Sequence, residues 1–170
     1  MRMITPRDSQ RSKVYQLERD FYEIPGFPEA AEKMLTLNEC QRLINLCWMR
    51  INGEVNYLPT VRDGRGRRIA CYQQLGHLIK LPLWARSGTV VCHEVAHAIV
   101  TAYDDAVDPV YRWHGTSFMK VFIHLMSFVY DVPEAEFRKL AKKYRVKCRS
   151  SFPIKTNRIP IADIREFRNK

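Results

Sequence analysis

Long apolar runs are missing from this sequence, and the absence of any run of eighteen such residues excludes a typical membrane-spanning helix. The opening residues MRMITPRDSQRSKVYQLERD lack the apolar segment of a secretory signal, so we expect a protein that is not secreted. No two cysteines have C-x-x-C spacing, and their number is odd: Cys40, Cys47, Cys71, Cys92 and Cys148. This usage argues against a disulfide framework and against a cysteine zinc knuckle. We therefore expect a cytoplasmic protein (in the host cytoplasm if it is viral) that has no membrane partner.

Acidic residues are scarce in one part of the sequence only. Residues 1–137 hold 16 Lys and Arg against 16 Asp and Glu, whereas residues 138–170 hold 12 basic residues against two acidic ones. The net charge of +10 therefore falls entirely on this basic segment, 138–170. Such a segment on a neutral body is typical of proteins that bind DNA or RNA phosphates, although a merely solvated end has the same composition. The candidate nucleic-acid contacts are Lys142, Lys143, Arg145, Lys147 and Arg149.

Apolar periodicity predicts helices over 12–22, 36–51, 118–129 and 134–145, with another that begins at Thr89 and ends in DDAVDP. Thr36 and Glu39 have the spacing of a capping box. Three strands are predicted at 54–61, 67–74 and 77–83, the first two joined by the Gly-rich turn RDGRGR. Helices before and after a small antiparallel sheet indicate an α+β fold. We expect one domain over 1–147, followed by a basic C-terminal arm over 148–170.

The apolar stretch VVCHEVAHAIV, residues 90–100, carries two histidines and a glutamate. On a helix, His93 and His97 lie one turn apart on the same face and can reach one zinc ion. Glu94 is rotated by about 100° from His93, beside the metal, where it can accept a proton from a water molecule. A buried imidazole or carboxylate needs such a partner, because an unsatisfied polar group in the core costs free energy.

A catalytic zinc site needs a third protein ligand and one open position. The longer motif H-E-x-x-H-x-x-G-x-x-H does not apply, since Val100 and Tyr103 stand where it requires Gly and His. The best candidate is His114, because a helix–loop–helix return can bring it back to the first helix. Carboxylates near the end of that helix remain alternatives: Asp104, Asp105 and Asp108.

His93-Glu94-Val95-Ala96-His97, followed by His114-Gly115 and Phe118, resembles the H-E-x-x-H…H-G-x-x-F pattern of SprT-like metallopeptidases, the group that includes Spartan. The similarity covers a core of about residues 36–147. It implies a minimal zincin-like domain whose active-site helix carries H-E-x-x-H, one catalytic Zn²⁺ on His93, His97 and His114, and Glu94 as the base. It also implies a metallopeptidase that hydrolyses protein or peptide substrates, in Spartan-type members proteins crosslinked to DNA. One departure is that only Cys148 follows the core, so the four-cysteine zinc ribbon of many bacterial members is missing.

Substrate contacts are predicted on both sides of the motif. Residues 77–81 are interpreted as a sheet edge to which an extended peptide can add as a strand, with His77 and Ile79 in contact with it, although a plain core strand fits equally. Tyr111 and Arg112 are candidates for stabilising an oxyanion only because they lie next to His114. The alternative function is a non-catalytic zinc-containing protein that binds nucleic acid, and the sequence predicts no oligomeric state.

Overall fold

The computed structural model describes residues 8–51, 57–107, 113–151, 156–157, 159 and 161–168. Within these residues the chain forms six α-helices, α1 to α6 in order: Arg11–Arg19, Leu37–Ile51, Gly88–Val107, Thr116–Tyr130, Glu134–Lys143 and Ile161–Arg168. Three strands, β1 to β3, lie at Thr60–Asp63, Cys71–Gln73 and Leu78–Leu81. The short 3-10 turns are Phe21–Glu23, Glu29–Glu32 and Leu83–Ala85. The predicted α+β class is confirmed.

The sheet is mixed rather than antiparallel, so that part of the prediction is wrong. Its strand order is β1-β3-β2, with β1 parallel to β3 and β2 antiparallel to β3. After β1 the chain passes along the end of β3. The Gly-rich turn therefore does not bring β2 back to pair with β1. There the Gly64 N–H donates to the carbonyl of Leu81 at 3.0 Å. A Cβ at Gly64 would lie 2.6 Å from the Pro82 nitrogen, so this close approach requires glycine.

Helix α2 covers the sheet and begins as predicted. The Thr36 N–H donates to Glu39 Oε2 at 2.8 Å, and the Glu39 N–H donates to Thr36 Oγ1 at 3.2 Å, which completes the capping box. The apolar face of α2 is buried against the core: Cys40, Leu43, Ile44, Cys47, Trp48 and Ile51. On its opposite edge Gln41 accepts the N–H of Val61 at 2.7 Å, which ties α2 to β1.

Helix α3 runs through the middle of the core, between α2 and α4. The helix includes the first four residues of DDAVDP and ends at Val107. At the other end Gly88 lies against Tyr130 of α4, where an added Cβ would fall 1.7 Å from the phenol oxygen. Both faces of α3 are buried, one against α2 and the other against α4. Its polar residues must therefore find partners inside the protein.

Within the predicted C-terminal arm, residues 161–168 form α6, which packs on the body. Ile164 and Phe167 are buried, which leaves Phe167 unable to stack on a nucleic-acid base. The Arg168 guanidinium donates to the carbonyls of Val129 and Phe128 at 2.9 and 3.0 Å, at the C-terminal end of α4. A cation at this position satisfies orphan carbonyls and favours the helix dipole. None of the described helices is both long and apolar enough to cross a bilayer.

Candidate metal centre

Three histidine side chains meet in the core: two from α3 and one from the turn before α4. His93, His97 and His114 have exposed fractions of only 4%, 5% and 4%. The Nε2 atom of His93 lies 3.0 Å from that of His97 and 3.2 Å from that of His114. All three ligand nitrogens fall within 4.8 Å of one another. The structure therefore brings together the three histidines that the sequence proposed as ligands.

The ring orientations of two of these histidines fit a metal site. The Nδ1–H of His93 donates to Glu18, and that of His114 donates to Asp8 at 2.5 Å. A neutral imidazole with its proton on Nδ1 has only a lone pair on Nε2. The 3.2 Å approach of these two Nε2 atoms then cannot be a hydrogen bond. It does match two ligands of one tetrahedral ion, which at about 2.0–2.1 Å from zinc would be roughly 3.3 Å apart.

The charges of the cluster follow from burial. Burial, together with the charges of His93 and His114, holds the pKa of His97 well below its usual value. Burial also lowers the pKa of His114; the charge of His93 adds to this effect, and together they outweigh the hydrogen bond that His114 donates to Asp8. At His93 burial acts downward, but Glu18 and the other nearby carboxylates raise the pKa above its ordinary value. Two of the three imidazoles, His97 and His114, are therefore favoured in the neutral form that binds metals, and the carboxylates around His93 add negative charge that suits a divalent cation.

Glu94 lies beside this cluster and is buried with an exposed fraction of 5%. Burial raises the pKa of its carboxyl above the usual range, against the opposing charge of His93 and a hydrogen bond from the backbone of Tyr72. Since Tyr72 belongs to β2, this bond anchors Glu94 to the strand that lies against α3. A carboxylate with a raised pKa next to a metal-binding cluster has the properties of a general base.

A cleft of about 390 Å³ opens onto His93 and Glu94. One wall comes from α1, with Arg11, Tyr15, Glu18 and Arg19, and the floor includes Thr89 and Val90 of α3. The opposite wall is apolar and exposed: the side chains of Ile69 and Trp84 are 56% and 63% exposed. A molecule in this cleft would reach both the carboxylate of Glu94 and the edge of the histidine cluster.

Sequence reasoning did not identify the contribution of α1. Asp8 and Glu18 hold two of the clustered histidines, and the Tyr15 ring stacks on His93 at 5.8 Å between centroids and meets His114 edge-on at 5.4 Å. The available signal was a polar line at helical spacing along α1, Arg11, Tyr15 and Glu18, which Asp8 continues just before the helix. Such a line is usually a solvated helix face, so the sequence alone predicted no functional role for it.

The predicted substrate contacts on β3 are placed elsewhere. β3 is the central strand, so its interpretation as a sheet edge is wrong, and Ile79 is fully buried in the core. His77 donates from Nε2 to the Tyr57 carbonyl at 2.5 Å and accepts the Tyr72 hydroxyl on Nδ1 at 2.8 Å. Both of its ring nitrogens are thus used within the protein. The outer strand nearest α3 is β2, where the backbone of Tyr72 already holds Glu94.

Several candidates lie outside the described residues. Tyr111, Arg112 and Asp108 belong to this group, and although Asp104 and Asp105 lie in the last turn of α3, their side chains are not described. Their predicted roles stay predictions.

The predicted nucleic-acid contacts lie on and after α5. Lys142, Lys143, Arg145 and Lys147 are exposed. Lys143 forms an ion pair with Glu23 at 2.5 Å, while Arg149 donates to Ser117 Oγ at 3.2 Å, so part of the basic charge is used within the protein. Binding to nucleic acid stays a prediction.

Comparisons with protein-family models, with curated proteins and with solved structures found no match to this chain. The assignment of its function therefore depends on the geometry of the metal centre and on the motif that it contains.

Proposed function

We propose that this protein is a zinc-dependent endopeptidase whose metal is held by His93, His97 and His114 and whose general base is Glu94. The single observation that carries the proposal is the convergence of three buried Nε2 atoms beside a buried glutamate that faces an open cleft. The resemblance of the same residues to the H-E-x-x-H…H-G-x-x-F pattern of SprT-like zincins supports it and supplies the reaction class.

His93, His97 and His114 would hold the zinc ion, which would supply Lewis acidity that lowers the pKa of a water molecule to about 7 and polarises a carbonyl group. Glu94 accepts the proton of the water molecule as its oxygen attacks the peptide carbonyl carbon, and then delivers that proton to the departing amine. The peptide C–N bond breaks, and the products are a carboxyl group and an amine. The Tyr72 N–H orients the carboxylate of Glu94 throughout, because it bonds to that side chain from β2.

The cleft walls fit a polypeptide substrate. The exposed side chains of Ile69 and Trp84 form an apolar wall, and Thr89 in the floor donates its hydroxyl to Glu32 at 2.6 Å. A binding site with mainly apolar walls and a few polar groups is typical of pockets that hold organic ligands and peptide side chains. Action on proteins bound to DNA is implied only by the resemblance to SprT-like metallopeptidases.

The alternative is a non-catalytic, zinc-containing protein that binds nucleic acid. A structural zinc ion is almost always held by four protein ligands, and the described residues offer a group of three. This alternative also gives no role to Glu94, whose burial costs free energy.

The test combines metal analysis with proteolysis of an unfolded protein substrate. We expect one zinc ion per chain in the wild-type protein. Glu94→Gln should retain the zinc ion but lose about 10²–10⁴-fold in hydrolysis rate, because the near-isosteric amide cannot accept the proton. Glu136→Gln, which removes a carboxylate from α5, is the matched control and should keep wild-type activity. Hydrolysis by Glu94→Gln within a factor of a few of the wild-type rate would show that another group is the base.

A further inference from the structure

We propose that α1 and the residues before it are a working part of the metal centre, with Glu18 and Asp8 as positioning residues for His93 and His114. This inference rests on the proposed function only in requiring that the three histidines bind a metal ion. It adds a segment outside the 36–147 core, together with a coupling between the docking of α1 and metal affinity.

Glu18 sets the orientation of the His93 ring. Its carboxylate accepts the Nδ1–H of His93, and both side chains are largely buried, with exposed fractions of 14% and 5%. A carboxylate in this position fixes the tautomer that presents Nε2 to the metal and makes the imidazole a better ligand.

His114 is held twice from the same segment. Asp8 accepts its Nδ1–H at 2.5 Å, and Gln10 donates from Nε2 to its backbone carbonyl at 3.0 Å. Gln10 is itself buried and is fixed by Lys147, whose N–H donates to Gln10 Oε1 at 2.5 Å. The ring and the backbone of the third ligand therefore both depend on residues 8–10.

The packing of α1 ties these contacts together. Val14 and Leu17 are fully buried in the core, whereas Tyr15 and Glu18 face the histidines. One helix thus has an apolar face that holds it in place and a polar face that contacts the ligands. Displacing α1 would break both carboxylate contacts and expose the Val14 and Leu17 side chains.

Thermodynamic linkage makes the proposal quantitative. If the docked helix raises metal affinity by some factor, the bound metal must favour docking of the helix by the same factor. Loss of such a carboxylate contact typically lowers metal affinity by about 10–100-fold. Zinc should therefore slow tryptic cleavage after Lys13 and Arg19 by a similar factor, because cleavage requires α1 to open.

The experiment measures zinc affinity by chelator competition and the Co²⁺ absorption spectrum of the full-length protein. Glu18→Ala and Asp8→Ala should each weaken zinc binding by about 10–100-fold and change the Co²⁺ spectrum, which reports the ligand geometry separately from any loss of fold stability. Glu18→Gln, which keeps an oxygen acceptor at the same reach, should recover part of the loss. Glu23→Ala is the matched control, since Glu23 follows α1 and pairs with Lys143 rather than with a ligand, and it should bind zinc like the wild type.

The outcomes separate this inference from the proposed function. Equal zinc affinity in the wild type, Glu18→Ala and Asp8→Ala overturns the positioning role, even if the protein is a peptidase. If Glu18→Ala and Asp8→Ala weaken zinc binding but the wild-type protein does not hydrolyse peptides, the positioning role is supported and the proposed peptidase activity is refuted. If Glu18→Ala fails to fold, the test depends on the zinc affinity of Asp8→Ala and on whether zinc protects α1 of the wild type from trypsin. Absence of that protection in the wild type contradicts the proposal.

Discussion

His93 and His97 are placed by one helix, whereas His114 reaches them only through the packing of α4 against α3. The histidine pair is therefore fixed by local geometry, and the position of the third histidine depends on tertiary structure. At the scale of single residues, this difference makes His114 the most informative of the three candidate ligands to substitute.

We predict that His114→Ala loses most of its zinc, because two histidines leave the ion without a third protein ligand. Metal analysis of the purified variant checks this, with His124→Ala as the control. The His124 ring donates to Glu134 at 2.8 Å on α5 and lies outside the histidine cluster. Full zinc occupancy in His114→Ala would return Asp104, Asp105 or Asp108 to consideration.

Gly88 is a second residue whose identity the packing requires. An alanine Cβ there would overlap the Tyr130 hydroxyl at 1.7 Å, so we expect Gly88→Ala to lower the free energy of unfolding by about 1–3 kcal/mol. Tyr130→Phe removes the overlapping oxygen. In denaturant unfolding, the double variant should then be more stable than the sum of the two single effects predicts. Strictly additive losses would mean that the overlap is relieved in another way.

At the scale of elements, α4 and α5 are joined by one carboxylate. Glu134, at the start of α5, accepts hydrogen bonds from Lys120 and His124 of α4, each at 2.8 Å. Burial alone would raise the pKa of Glu134, but these two bonds bring it below its ordinary value. Burial lowers the pKa of His124 more than Glu134 raises it.

Both groups therefore bind protons more readily in the unfolded chain, so acid should destabilise the fold. The loss begins as the pH falls below the ordinary His pKa of 6.5 and continues as it falls below the ordinary Glu pKa of 4.5. We expect Glu134→Gln to cost about 1.5 kcal/mol at pH 7, and this difference from the wild type should shrink below pH 4.5.

Urea unfolding of the metal-free proteins from pH 8 to pH 4 measures this difference. Glu136→Gln is the control, because its partner Lys139 is 71% exposed and such a surface pair contributes little. A Glu134→Gln deficit that stays constant with pH would contradict the pKa assignment.

The elements also show what sequence patterns can predict. Helix α2 was predictable because its capping box and its apolar face are local signals, and the H-E-x-x-H helix was predictable for the same reason. The sheet order was not predictable, because a Gly-rich turn has the same sequence features whether the flanking strands pair with each other or both pair with a third strand. The contacts of Glu18 with His93 and of Asp8 with His114 span 75 and 106 residues, and no local pattern separates such carboxylates from solvated ones.

At the scale of the whole molecule, the basic segment is partly built into the fold. Because α6 buries Ile164 and Phe167, truncation after Lys147 would also remove part of the core. Substitution of exposed cations tests nucleic-acid binding without this loss of stability.

We predict that the triple variant Lys142→Gln, Arg145→Gln, Lys147→Gln binds duplex DNA more weakly at low salt. The log–log salt dependence should flatten by about 0.9 for each of these residues that contacts a phosphate, or by about 0.7 on single strands. Lys33→Gln, outside the basic segment, is the control. Titrations over a range of salt concentrations measure the slopes, and an unchanged slope in the triple variant would identify the segment as solvated surface.

The order of the strands has a consequence for how the sheet forms. β2 and β3 make a local hairpin, in which Gln73 pairs with Leu78, whereas β1 must pair Thr60 with Leu78 across a longer loop. Closing the longer loop costs more chain entropy, so we expect the hairpin to form early and β1 to join it late. The strand that anchors Glu94 then belongs to the early unit. Amide hydrogen exchange should accordingly be faster in β1 than in β3, and the opening of β1 should leave the carboxylate of Glu94 in place.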